Sequence, residues 1–259
     1  LKFASLGSGS EGNALLVSTA LQTSSAATVM VDCGFGIRET EQRLAKLQVH
    51  PEQIDAIVVT HEHQDHIGGV FKFAQKYRIP VWLSYGTLQA TRRAHGDVQL
   101  NFCRDGEAFS VKGLELHPFT VPHDAREPLQ FVVSDRDSRL GILTDTGQYT
   151  PYVVENLGGC DALILECNHD RQMLAESAYP YSLKQRIGGL YGHLSNQACA
   201  EILRAIDQSR LKKVIGAHLS RQNNKLELAY QALSGALATS DTEISIACQE
   251  KGFEWVELR

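Results

Sequence analysis

Short apolar runs broken by turn-forming residues dominate the first third of the chain. They predict strands over residues 1–6, 14–18, 28–32, 54–60 and 81–83, the first two separated by the turn Gly7-Ser8-Gly9-Ser10-Glu11-Gly12. Between them, apolar positions recur at helical spacing over residues 39–47, 70–77 and 87–94. The small, polar segment 21–27 reads as a hairpin connection. Further along, strands are predicted at 115–121, 129–134, 140–144, 162–166, 213–216, 243–247 and 253–256. Helices are predicted from Pro151, near Leu183, over 196–206 and over 226–237. Mixed strands with helices distributed among them predict an α/β (α+β) fold of two packed sheets flanked by helices, spanning residues 1–259 as a single domain.

The run His61-Glu62-His63-Gln64-Asp65-His66 places four metal-competent side chains immediately after one predicted strand. A metal ligand must offer a lone pair at neutral pH, as neutral imidazole and carboxylate do, and no packing requirement asks for four such groups here. If the approach is extended, His61, His63 and Asp65 share a face, while the turn into a helix carries His66 to a second position. That pattern favours two metals over one. Gly68-Gly69 fits a close backbone approach where the helix begins. His123, Asp145 and His218 each follow a predicted strand, where loops on a rigid scaffold place chemistry. A single histidine at a strand end is commonly a solvated or hydrogen-bonded residue, and His50, His95 and His117 are read that way.

Composition narrows the class. At 259 residues with 43% hydrophobic content the chain can bury a sizeable core. A formal charge of -5 argues against a generic polyanion binder but leaves a nuclease open, because bound dications and a local basic patch can supply a positive field. No apolar run approaches the ~20 residues of a membrane span, and the opening residues read as a strand rather than a signal peptide. Six scattered cysteines without a C-x-x-C pair read as reduced core residues of a cytoplasmic protein.

Taken together, these residues resemble the motifs of the metallo-β-lactamase superfamily, which implies a four-layer αββα sandwich with ligands at strand ends. Asp32 fits the first motif, His61, His63, Asp65 and His66 the second, His123 the third, Asp145 the fourth and His218 the fifth. The resemblance implies one metal on His61, His63 and His123, another on Asp65, His66 and His218, and Asp145 bridging them. Asp32 then braces the loop. Gly7-Ser8-Gly9-Ser10-Glu11-Gly12-Asn13, Glu166-Cys167-Asn168-His169-Asp170, Tyr179-Pro180, Gly192-His193-Leu194-Ser195-Asn196 and His218-Leu219-Ser220 with Asn223-Asn224 look like the YycJ/WalJ family over essentially the whole chain. That likeness implies a DNA exonuclease acting 5′ to 3′, linked to repair, on DNA with an accessible 5′ end. Homodimerisation remains open. Gln64 and Cys167 stand where serine is expected or frequent.

The expected chemistry is hydrolysis of a phosphodiester by a hydroxide bridging two divalent ions, zinc or manganese, with Asp65 orienting it. His193 is the first candidate to protonate the leaving oxygen and His169 the second, although His193 could instead cap the following helix. Asn168, Ser195, Asn196 and Ser220 are candidate substrate contacts. Arg171, Lys184, Arg186, Arg221 and Lys225 could meet backbone phosphates, and Tyr179, Tyr181 and Tyr191 could stack on bases. The rivals are a small cyclic phosphodiesterase, a glyoxalase II-like thioesterase or lactonase, and a non-enzymatic metal-bearing regulatory module. A complete ligand set weighs against the last.

Overall fold

Strand β1 (Lys2–Gly7) begins an antiparallel meander with β2 (Ala14–Ser18) and β3 (Thr28–Val31). The chain then crosses through α1 (Ile37–Lys46) to the parallel strand β4 (Ala56–Val58). Helices α2 (Gln64–Ile67) and α3 (Val70–Tyr77) lead to β5 (Val81–Leu83), and α4 (Tyr85–Ala90) leads to β6 (Leu100–Phe102). The computed structural model describes residues 1–19, 26–91, 95–239 and 241–258. The second sheet opens with the antiparallel strands β7 (Phe109–Val111), β8 (Leu114–Thr120), β9 (Leu129–Ser134) and β10 (Arg139–Leu143). After α5 (Pro151–Leu157) it continues with β11 (Ala162–Glu166), α6 (Arg171–Glu176), α7 (Tyr181–Ile187), α8 (Asn196–Ala205), β12 (Lys213–Ala217), α9 (Leu226–Ser234) and β13 (Glu243–Ile246). Strands β10 to β13 run parallel, and β14 (Phe253–Glu257) returns to pair with β1. The two sheets have the orders β14-β1-β2-β3-β4-β5-β6 and β13-β12-β11-β10-β9-β8-β7.

Side-chain alternation explains the layering. Val29, Val31, Ala56 and Val58 face the other sheet, where Phe131, Ile142, Ile164 and Ile215 meet them. Met30 and Ile57 point the opposite way, onto Leu44, Phe71 and Phe73 beneath α1 and α3. Leu163, Leu165 and Val214 likewise pack outward against Val153, Leu157, Leu203 and Leu233 of α5, α8 and α9. Both faces of each central strand are covered, which is why these strands read as continuous apolar runs instead of alternating ones. Each large side chain buried this way contributes roughly 1.5–3 kcal/mol relative to exposure. The result is a single αββα sandwich, as expected.

Local differences have local causes. The strand expected over 54–60 is only β4, because Thr60 and His61 leave the sheet to enter a polar network. Gly68-Gly69 splits the helical region into α2 and α3, and a Cβ on Gly69 would overlap the Phe35 carbonyl oxygen. The helix expected over 87–94 starts earlier, at Tyr85, because Ser84 caps it by accepting from Thr87 N; residues 92–94 lie outside the described residues. The connection expected over 21–27 also falls mostly outside them. The short elements β6, β7 and α6 were not anticipated. Among the described residues, no helix is long and apolar enough to cross a membrane.

Candidate metal centre

Asp32 follows β3, Asp145 lies just beyond β10, and His218 follows β12, so all three sit at the carboxyl ends of strands. Each also has left-handed backbone, with φ of 61°, 56° and 55°, although none is glycine. Such conformations cost an L-residue roughly 1–2 kcal/mol and persist where surrounding structure enforces them.

The expected ligands converge. One donor atom each from His61, His63 and His123 lies within 4.8 Å of the others, and the same holds for Asp65, His66 and His218. Asp145 stands between the sets: Oδ2 is 2.8 Å from His66 Nε2 and Oδ1 is 3.4 Å from His218 Nε2. Asp65 Oδ2 is 3.5 Å from His66 Nε2 and 3.4 Å from His218 Nε2. Asp65 does not share with His61 and His63 the extended face that alternation predicts. His63 is the N-cap residue of α2 and Asp65 lies in its first turn, so a helix rather than an extended strand brings Asp65 to His66 and His218 instead of to His61 and His63.

Hydrogen bonds fix the ring tautomers. Asp32 Oδ1 accepts from the backbone N–H of Thr60 at 2.8 Å, and Asp32 Oδ2 accepts from Thr60 Oγ1 at 2.8 Å and from His66 Nδ1 at 2.7 Å. With its own proton committed to Asp32, Thr60 Oγ1 accepts from His61 Nδ1 at 2.9 Å. His123 Nδ1 donates to Gly192 O at 3.0 Å. These bonds leave the Nε2 lone pairs of His61, His66 and His123 directed inward. His63 is turned the other way, with its Nδ1 3.2 Å from His123 Nε2. Asp32 therefore braces two imidazoles.

The donor set fits divalent cations. His61 Nε2 is buried with no hydrogen-bond partner among the described residues, while the buried Asp145 Oδ2 has the 2.8 Å contact to His66 Nε2. Orphaned buried polar atoms cost about 1–3 kcal/mol each, and a cation on them removes that cost. Burial, reinforced by neighbouring histidines, holds the His61 pKa well below its usual value, and burial also lowers that of His123. Burial opposes charge on His66 and His218 as well, but Asp145, Asp65 and other nearby carboxylates outweigh it and raise both. Burial would likewise raise Asp65 and Asp145, yet the surrounding histidines hold both carboxyls below the usual range.

Beside the candidate ligands runs a cleft of about 310 Å³, lined among others by Ser10, Asp65, Asp145, Arg186, His193 and His218. His193 Nδ1 is 2.7 Å from Glu166 Oε1 and 3.1 Å from Asp145 Oδ1. Burial opposes its charge, but Glu166 and Asp145 raise its pKa well above the usual imidazole value. His169 differs. It is buried outside the cleft lining, and burial lowers its pKa to about 4.

The remaining candidates are held by the scaffold. Asn168 Nδ2 donates to His218 O at 3.0 Å, and Ser195 caps α8 by accepting from Ala198 N. Asn196 exchanges amide hydrogen bonds with Asn224 at 2.9 Å, and Ser220 Oγ accepts from Asn223 N. None of these four lines the cleft. Three residues with direct roles in the geometry were given no role from the sequence. Glu166 closes β11 with no solvent exposure; its Oε2 accepts from Thr146 N at 3.0 Å and Leu194 N at 3.2 Å. Asn13 Nδ2 lies 3.1 Å from His66 Nε2 and 3.3 Å from Asp65 Oδ2. Asp124 Oδ1 lies 3.6 Å from both His63 Nε2 and His123 Nε2, and its Oδ2 accepts from Arg186 Nε at 2.6 Å. A carboxylate ending the apolar run Ala-Leu-Ile-Leu-Glu was the available signal for Glu166.

A Beta-lactamase superfamily domain model matches residues 27–218, which include Asp32 and extend to His218. Exodeoxyribonuclease WalJ of Streptococcus pneumoniae serotype 2 (strain D39 / NCTC 7466) is 33% identical over 250 residues, covering 95% of this chain and 91% of that protein. The chain belongs to the WalJ/YycJ family of metallo-β-lactamase-superfamily hydrolases. Exodeoxyribonuclease YycJ of Bacillus anthracis, a second relative of this family member, is 32% identical over 256 residues, covering 98% of this chain and 91% of that one. The crystal structure of the metallo-beta-lactamase fold protein YhfI from Bacillus subtilis superposes with a TM-score of 0.75 over 99% of both chains at 15% identity, showing the shared fold.

Proposed function

We propose that this family member is a two-metal DNA exonuclease that digests from the 5′ end and serves DNA repair. The exodeoxyribonuclease names of its two relatives support the substrate class. The observation that carries the hydrolytic reading is the convergence of His61, His63, Asp65, His66, His123, Asp145 and His218, with the His61 Nε2 lone pair left unpartnered. Zinc or manganese ions held by these residues would supply Lewis acidity that brings water deprotonation into the neutral range and offsets phosphodiester charge. Asp65, the more exposed carboxylate of the set, faces the cleft and orients the attacking water.

The leaving oxygen needs a proton, and the two candidate histidines separate on electrostatics. His193 faces the cleft and holds its proton near neutral pH because Glu166 and Asp145 lie against Nδ1. His169 is neutral there, since burial lowers its pKa to about 4. His193 is therefore the donor and Glu166 its positioning partner. Water attacks phosphorus, the bond to the 3′ oxygen breaks, and His193 protonates that oxygen. Each turnover leaves a 3′-hydroxyl on the released nucleotide and a 5′-phosphate on the shortened strand.

The test is digestion of 5′-labelled and 3′-labelled DNA and RNA oligonucleotides with manganese or zinc, beside an Asp145→Ala control. Progressive release of 5′ nucleotides from DNA, lost in the control, is the expected result. Hydrolysis of a chromogenic phosphodiester with every oligonucleotide left intact would replace this reading with a small-molecule phosphodiesterase.

A further inference from the structure

Helix α7 separates two pockets. Its residues Leu183, Arg186 and Ile187 line the cleft beside the candidate metal ligands, while Tyr181, Lys184 and Gln185, with the C-cap Gly188, line a second pocket of about 460 Å³. Positions three and four apart share a helix face, so the two groups point to different sides of one element. His193 lines both spaces and joins them. The second pocket falls in the size range of small-ligand sites, roughly 300–1,000 Å³.

Its charge is distinctive in a chain of net charge -5. Arg171 and Lys184 line it, and no lining residue is acidic. Arg171 Nε donates to Ser195 Oγ at 3.1 Å, and Lys184 Nζ donates to Ala175 O at 2.6 Å. Among the described residues neither cation forms an ion pair, so the remaining guanidinium and ammonium donors are available to an anion. His169 adds a buried wall, 3% exposed. Tyr181, 77% exposed, offers a ring at the rim. Two cations without acidic neighbours in the lining and an open aromatic face together match a nucleoside phosphate.

We propose that the pocket between α6 and α7, built on Arg171, Lys184 and His169, is a subsite for the 5′-phosphorylated terminal nucleotide of a DNA strand. The assignment deepens the exonuclease reading and rests on it for the substrate. Because each turnover regenerates a 5′-phosphate, a subsite one nucleotide beyond the scissile bond captures every new end and holds the strand in register.

Two measurements test this on the purified metal-containing protein. The first compares digestion of 5′-phosphorylated and 5′-hydroxyl DNA oligonucleotides by the wild type, Arg171→Ala and Lys184→Gln. The wild type is expected to prefer the phosphorylated end by about tenfold or more, as for a charge-assisted contact, and both variants to lose that preference. Equal wild-type rates on the two ends would overturn the subsite while leaving the nuclease intact. The second is calorimetric titration with deoxyadenosine 5′-monophosphate, with deoxyadenosine as comparator. It decides the subsite even if no oligonucleotide is cleaved, a result that would sink the nuclease reading alone. Monophosphate affinity that falls about tenfold in Arg171→Ala supports the subsite, and unchanged affinity in both variants overturns it.

Discussion

Glu166 Oε1 lies 2.7 Å from His193 Nδ1, and the same carboxylate accepts two backbone N–H groups through Oε2, so it is fixed in place before it acts on the imidazole. This pair separates proton donation from metal binding. His193→Ala is expected to lower kcat by about 10²–10⁴-fold while metal content, measured by elemental analysis, stays unchanged. Glu166→Gln removes the charge that raises the His193 pKa. The proton is then lost at lower pH, so the alkaline limb of the pH–rate profile should move to lower pH. An unmoved alkaline limb would count against His193 as donor.

The Asp32 network makes a different prediction. Asp32 accepts from His66 Nδ1 and from Thr60, which in turn holds His61. Asp32→Ala should weaken metal affinity by about 10–100-fold, the usual consequence of losing a hydrogen-bonded brace behind an imidazole ligand. Calorimetric titration of metal into the stripped protein reads this directly. Thr60→Val should act in the same direction, since it breaks the link between Asp32 and His61.

Metal removal should destabilise the fold. Stripped protein retains the buried His61 Nε2 without a hydrogen bond among the described residues, together with the charges of Asp65 and Asp145. A cation present at 100 times its dissociation constant would stabilise the native state by about 2.7 kcal/mol. Thermal melts with and without chelator should therefore differ by several degrees, and His61→Ala should shrink that difference. Identical melts would mean that these atoms hold no ion.

His169 predicts an acid-side loss of stability. Burial holds it neutral in the folded state down to about pH 4, whereas an unfolded histidine takes up its proton near pH 6.5. The folded pKa is depressed, so the unfolded chain binds the proton first as pH falls. Its contribution is fully present above about pH 6.5 and declines from there through pH 4, on the order of 3 kcal/mol in total. Urea unfolding at pH 7, 5.5 and 4.5 should show a shallower decline in His169→Asn than in the wild type.

Much of this architecture was legible because chemistry and pattern agreed. His61, His63, His123 and His218 stand beside apolar strands that carry no reason for imidazole, and Val29, Met30 and Val31 announce a strand buried on both faces. Glu166 was less legible, since one carboxylate after four apolar residues looks like an ordinary strand end until Thr146, His193 and Leu194 close around it. The left-handed backbone of Asp32, Asp145 and His218 was hidden because none is glycine. The basic pocket depends on how α6 and α7 pack, and α6 is too short to leave a periodic signal.

Gly69 links the fold to the metal-ligand geometry most directly. Its backbone is ordinary, with φ -100° and ψ -17°, so its requirement is space rather than a special conformation. A Cβ there would overlap the Phe35 carbonyl oxygen, and one on Gly34 would overlap the Asp65 carbonyl oxygen. Both contacts involve backbone, which cannot swing aside as a side chain can. Gly69→Ala should force apart the loop after β3 and the start of α3, shifting the neighbouring α2 residues Asp65 and His66. The expected cost is about 1–3 kcal/mol of stability, typical of overpacking, with a larger proportional loss of metal affinity. Comparison of Gly69→Ala with Gly36→Ala, where a Cβ would meet nothing within 4 Å, separates the collision from a general glycine effect. Equal stability and metal binding in the two variants would show that the close approach is not needed.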